Sequence, residues 1–279
     1  EENNELIDHS ILIKSYHRLA LLQNETGDFE GSRKSYLNIE KIVSEDRLID
    51  NQFGISDIAW LNISQGKYSK TRKELKTDLS LKSKIIGDQH WSLVDPLLYL
   101  AEIAIIEGEF NTAEQYLTRV SQIVATVFGR ESLRMSKVLM LYKQLYTAIG
   151  NYQKAEASIT QSLDILHKIY GVNHIKTSLP SSELVLAIVL NKSNFNSVSN
   201  KALQQECQEL LASAETTIRN EYGTKNPLYA EILENLGTYQ LLTNQFKKSA
   251  QTILEAKVIW QDFLGAINIH AAVLDFTLG

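Results

Sequence analysis

Six histidines and one cysteine, Cys207, are the side chains in this sequence best suited to hold a metal or to attack an electrophile, and their spacing argues against both. His90 and His174 close the matching strings Gly87-Asp88-Gln89-His90 and Gly171-Val172-Asn173-His174, which points to a helix start or a packing position. His9, His167 and His270 show no ligand spacing, whereas His17 falls on a predicted helix face that a bound ligand could touch. Cys207 lies in a helical pattern, Cys207-Gln208-Glu209, so an idle or buried thiol is expected. With no second cysteine there is neither an intrachain disulfide nor a paired-cysteine metal or redox motif. The carboxylate pairs Glu5/Asp8 and Glu231/Glu234 have the spacing of a solvated helix face. Every recurring glycine is explained by a turn, which leaves no loop to cradle phosphate. The expectation is a chain with no catalytic residues, no metal and no cofactor.

Charge and hydropathy narrow the partners. Lys and Arg number 28 against 33 Asp and Glu, a formal net charge of -5, so no cationic excess is present to neutralise a nucleic-acid backbone. The longest apolar run, Leu97 to Ile106, is broken by Glu102 and falls short of the roughly 20 residues that span a bilayer. Direct nucleic-acid binding and membrane insertion are not expected. A lone cysteine suits a reducing compartment, and a cytoplasmic location is the expectation. Three prolines, 13 glycines and a 44% hydrophobic content favour an all-α fold with ample core.

The elements that would position any site follow from an internal repeat. Gly27-Asp28-Phe29, Gly66-Lys67-Tyr68, Gly108-Glu109-Phe110, Gly150-Asn151-Tyr152, Ser193-Asn194-Phe195 and Asn244-Gln245-Phe246 all read small, polar, aromatic, at spacings of 39, 42, 42, 43 and 51. Three residues beyond each aromatic stands Ser32, Thr71, Ala113, Ala155, Val198 or Ser249, a position for close helix packing. A second marker, led by Gly87, Gly129, Gly171, Gly223 and Gly265, keeps spacings of 42, 42, 52 and 42. Both markers lengthen in the same repeat, which places nine or ten extra residues between Ser193 and Gly223 as a longer loop or a longer helix.

Apolar residues between the markers recur at helical spacing, as in Leu117, Val120, Val124 and Val127, so each repeat is a helical hairpin with a helix A and a helix B. Helices A are predicted near 10–25, 51–65, 92–107, 132–149, 176–191, 227–243 and from 267. The aromatic of the first marker is expected to wedge between the two helices, and the glycine of the second to end helix B as a C-cap. A Ser, Asn or acidic residue after that glycine is expected to start the next helix A. The chain reads as a single repeat domain with repeats near 6–47, 48–89, 90–131, 132–173, 174–225, 226–266 and a partial 267–279. Because Leu278-Gly279 repeats Leu236-Gly237 after 42 residues, it is expected to continue past 279.

This pattern resembles the tetratricopeptide repeat, with its small residue at the eighth position, glycine-led turn and second small residue one turn later. Ala20, Ala59, Ala101 and Gly237 fill the eighth position, while Lys143 and Leu186 depart from it and predict looser packing in two repeats. The 42-residue period, with Gly87 to Trp91 and Gly223 to Pro227 between repeats, is similar to the kinesin light chain subtype. The resemblance implies a right-handed α-solenoid of six to seven stacked hairpins, with helices A lining a concave groove. It implies a non-catalytic scaffold that binds a protein or peptide.

Family inner positions carried onto this register give Lys14, His17, Leu21, Asn24, Phe53, Ser56, Trp60, Ile63, Asp95, Leu98, Glu102, Lys137, Met140, Gln144, Glu183, Glu231, Glu234 and Thr238 as groove residues. Asn235 matches the asparagine that clamps peptide backbone in the kinesin light chain subtype. Arg18, Asp57, Tyr99, Leu141 and Leu184 stand at its equivalents, so cargo binding of that kind is not implied. Several acids beside Lys14 and Lys137 disfavour the carboxylate clamp of co-chaperones. Phe53 and Trp60 would suit an apolar anchor of a partner, and a core position for Trp60 stands equally open. A second reading is a regulatory or sensor region of a larger signalling protein with a kinase, protease or DNA-binding effector, in which case the partner is an intramolecular domain.

Overall fold

The computed structural model describes residues 9–45, 59, 62–63, 66–264 and 274. Among them are eleven α-helices, two short 3-10 turns and no strand. They fall in two compact units, Glu1–Val127 and Phe128–Gly279.

The first unit holds α1 (His9–Glu25), α2 (Phe29–Glu45), α3 (Tyr68–Ile86), a 3-10 turn at Trp91–Leu93, α4 (Val94–Ile106) and α5 (Phe110–Val127). Helices α1 and α2 form one antiparallel hairpin; α4 and α5 form another, and α3 packs on α4. The apolar side of α5 shows why: Ala113, Leu117, Val120, Ile123 and Val124 recur at helical spacing and are fully buried. Helix α5 packs on α4, where Leu97, Leu100, Ala101 and Ala104 are likewise buried. Each such Leu, Ile or Val contributes on the order of 1.5–3 kcal/mol by leaving water.

The second unit holds α6 (Leu133–Ala148), α7 (Tyr152–Tyr170), α8 (Ile175–Asn191), a 3-10 turn at Val198–Asn200, α9 (Lys201–Tyr222), α10 (Pro227–Leu242) and α11 (Phe246–Leu264). Successive helices pair as hairpins, α7 packs on the following α8, and α8 also packs on α10, so helix A lies against helix A as in a solenoid. One core cluster joins Val185, Ile188, Val189, Phe195, Cys207, Leu211 and Tyr239. Another joins Ala214, Ile218, Tyr229, Ile232, Leu233, Ile253, Trp260 and Leu274.

The repeat markers do the local work expected of them. Gly87, Gly171 and Gly223 end helices B with φ of 85°, 90° and 74°, a left-handed conformation that a side chain resists, and each N–H returns to the carbonyl four residues back. Ser32, Thr71, Ala113, Ala155 and Ser249 are all buried. The inserted residues of the fifth repeat are divided: the α8–α9 connection is long and carries the 3-10 turn, and α9 has 22 residues where α7 has 19.

Two expectations need correction. Phe195 is buried and meets Tyr239 edge-on at 6.2 Å, but Phe246 is 61% exposed, so the aromatic wedge does not hold in every hairpin. The eighth position of the fifth repeat is Val185, fully buried, with Leu186 only half-buried. The extra residue of that helix sits at its C-terminal end, so counting back from the turn slips the register by one. His90 and His174 stand at helix starts as N-caps, one of the two positions their place in the repeat predicted. The predicted helices at 51–65 and from 267, the cap at Gly265 and the side chain of Val198 lie outside the described residues.

Candidate functional site

Three of the reactive side chains, those of His90, His174 and Cys207, are taken up by the scaffold. At the start of the helix A region, His90 Nδ1 accepts the Ser92 N–H at 3.3 Å, and His174 Nδ1 accepts the Lys176 N–H at 3.1 Å. The Thr177 hydroxyl accepts the His174 N–H in return, completing a reciprocal cap. Ser132 and Asn226 accept the Met135 and Tyr229 N–H at the equivalent places of other repeats. The two histidines are therefore capping residues held at their positions by the repeat. Cys207 is fully buried, and desolvation, with Glu206 and Glu156 adding, pushes its thiol up to about 11. That removes the thiolate a nucleophile requires. Among the described residues no group of three or more His, Cys, Asp or Glu side chains converges as a metal site would require.

In the first unit, Lys14 is exposed and His17 half-buried on α1, and both are engaged in contacts. Asn24 lies on α1 with its side chain outside the described residues, as are Phe53, Ser56 and Trp60 entirely. Asp95 is exposed in the first turn of α4, where a carboxylate suits the helix dipole. Glu102, two turns on, is half-buried and makes no hydrogen bond or ion pair among the described residues. Burial raises its carboxyl above the ordinary range.

In the second unit the structure brings together a polar ladder across helices A. Lys143 Nζ on α6 lies 3.2 Å from Glu183 Oε1 on α8, with side-chain exposures of 16% and 20%. Next to Glu183, the Ser182 hydroxyl accepts the Asn235 amide of α10 at 2.8 Å. Beside Asn235, the Glu234 carboxylate accepts the indole N–H of Trp260 on α11. Glu231 is half-buried and engaged; Gln144 is exposed on α6. The predicted pair Glu234 and Asn235 is thus turned partly inward as braces between helices. Glu183 is different, because its second oxygen, Oε2, is out of water and has no hydrogen-bond partner among the described residues.

Lys143, Ser182 and Trp260 were missing from the sequence-derived set. Lys143 carried a signal, as a charged residue where the repeat calls for a small one. The charge is accommodated there because Glu183, one helix A further on, meets it. The arrangement presents hydrogen-bond acceptors and exposed polar side chains.

Known proteins agree with this architecture. A model of the tetratricopeptide repeat family matches residues 92–178. TPR-like repeats of kinesin light chain type from Podosopora anserina superpose with a TM-score of 0.58 at 17% identity, covering 78% of this chain and 98% of that one. BtubC from P. vanneervenii superposes with a TM-score of 0.57 at 15% identity, covering 94% of each chain. A clustered mitochondria protein homolog of Xenopus tropicalis is 24% identical over 198 residues, 71% of this chain, and the match spans 14% of that protein's length. Residues 92–178 thus match the tetratricopeptide repeat family, and the chain has the helical-hairpin fold of TPR-like repeats of kinesin light chain type.

Proposed function

We propose that the chain is a non-catalytic scaffold that binds a protein or peptide along the inner face of its helices A. The observation that carries this is the state of Glu183. One oxygen is fixed by Lys143, and the other is an acceptor withdrawn from water and left unpaired, a cost a protein tolerates where a partner's donor completes the bond. Gln144, exposed and next in sequence to Lys143, and the half-buried Glu231, one turn before Asn235, are polar contacts that would fix the register of a bound segment. Phe53, Ser56 and Trp60 extend the proposed contact set, with Lys14, His17, Asn24, Asp95 and Glu102, in the first unit.

A region of a longer polypeptide is a second reading, favoured by the Xenopus relative, of which the matching repeats make up 14%. The intact chain and a Gln144→Ala, Glu231→Ala double variant, matched for helicity by circular dichroism, would be compared in affinity capture from source-cell lysate. Loss of one specific partner supports the inner face as the binding surface. Retention of every partner overturns it.

A further inference from the structure

Helix α3 concentrates positive charge in an acidic chain. Residues 67–84 hold seven cations, Lys67, Lys70, Arg72, Lys73, Lys76, Lys82 and Lys84, against Glu74 and Asp78. A segment of +5 in a chain of -5 leaves -10 elsewhere. Three of these cations are used by the fold: Arg72 pairs with Glu107 and Glu109, Lys70 with Glu74, and Lys82 with Asp78 at 2.6 Å. Lys67, Lys73, Lys76 and Lys84 are exposed and make no ion pair among the described residues.

Their placement follows from the helical period. Thr71, Leu75 and Leu79 are the buried side of α3, so Lys73, Lys76 and Lys84 stand on the side facing away from the core. Ser69, Arg72, Lys73, Lys76, Thr77, Ser80 and Leu81 line an open trough there. From Lys73 to Lys84 the helix rises about 16 Å, the reach of five or six residues of extended chain. Leu81, 55% exposed and part of the trough lining, offers an apolar contact beside the lysine row.

We propose that this outer face of α3 binds a short acidic segment of a partner protein, its carboxylates on Lys73, Lys76 and Lys84 and an apolar side chain on Leu81. Charge complementarity selects the occupant. A long polyanion such as RNA would meet the surplus of negative charge on the rest of the chain, and the trough offers serine, threonine and leucine where single-stranded nucleic acid needs aromatic platforms. An acidic peptide needs only the length of the row. Four unpaired like charges along one helix also repel one another, a cost that a bound anionic segment relieves.

The test is fluorescence anisotropy with a fluorescein-labelled peptide of four Glu-Glu-Leu repeats and the intact chain. Saturable binding that weakens as salt rises from about 50 to about 300 mM is expected. A Lys73→Glu, Lys76→Glu double variant with unchanged helicity should lose about tenfold or more in affinity, and Lys73→Arg, Lys76→Arg should keep it. Unchanged binding by the charge-reversed variant overturns the proposal, as does equal binding of a Lys-Lys-Leu counterpart. Displacement of the peptide by polyuridylate or anionic vesicles at lower concentration than by unlabelled peptide also overturns it, in favour of those surfaces.

Discussion

The Asn235 amide donates to the Ser182 hydroxyl at 2.8 Å, tying α10 to α8 across 53 positions of sequence. A tie between neighbouring helices A is a stability feature before it is a ligand contact. Asn235→Ala is expected to cost about 1 kcal/mol in urea unfolding. A double-mutant cycle with Ser182→Ala should show coupling of about 0.5–1.5 kcal/mol. Simple additivity of the two substitutions would mean that the bond is not felt in solution.

Gly237 makes the opposite kind of contact, by having no side chain. A Cβ there would stand 2.6 Å from Ile253 Cγ1, and the Ser249 hydroxyl donates to the Gly237 carbonyl at 2.8 Å, so α10 and α11 touch backbone to side chain. Gly237→Ala should therefore destabilise by about 1–3 kcal/mol, with Ile253→Val recovering part of the loss. Helix propensity taken by itself predicts a gain of up to about 1 kcal/mol, so the sign of the change in urea midpoint separates the two accounts.

How much of this was readable beforehand depends on the length scale of the cause. Hairpins, caps and small packing positions follow from a local period, and residues such as Gly87 and Ala113 carry it in their own chemistry. Register within the fifth repeat was misread because one extra residue at the end of α8 is invisible to a count from the turn, and only the burial of Val185 reveals it. The braces were illegible for a deeper reason. Glu234 with Trp260 and Lys143 with Glu183 are pairs set by how helices stack, and nothing in the local pattern of either member names the other. Phe246 keeps the marker pattern while standing in solvent, which shows that a conserved spacing fixes position and leaves burial to the neighbours.

Glu102 should give the protein a measurable pH dependence. Burial without a partner disfavours the carboxylate, so its folded-state pKa lies above the ordinary 4.5. The native state then holds the proton to higher pH than the unfolded state does. The contribution of this group is fully present below about 4.5 and is lost as pH rises through the folded value. Glu102→Gln removes that loss: its Tm should exceed the unsubstituted chain's at pH 7 and converge with it near pH 4. An equal offset at both pH values would show that the carboxylate is well solvated. If Glu102 lies within the proposed binding face, added partner should narrow the gap at pH 7, because a donor from the partner stabilises the charged form.

Cys207 tests the core of the fifth repeat. It is packed with Val185, Leu211 and Tyr239 and its thiol is raised to about 11, so at pH 8 the folded chain presents almost no thiolate. Labelling by a disulfide reagent should proceed only through opening of the α8–α9 hairpin, with a rate that rises with added urea below the unfolding midpoint. Cys207→Ser places a hydroxyl in the same apolar cluster and should cost about 1–3 kcal/mol, whereas Cys207→Ala should cost less than the serine, since it buries no polar group. Fast labelling in the absence of denaturant would instead mean that the inserted loop and the lengthened α9 open this repeat far more readily than their packing implies. The fifth repeat would then be the point at which the second unit yields first.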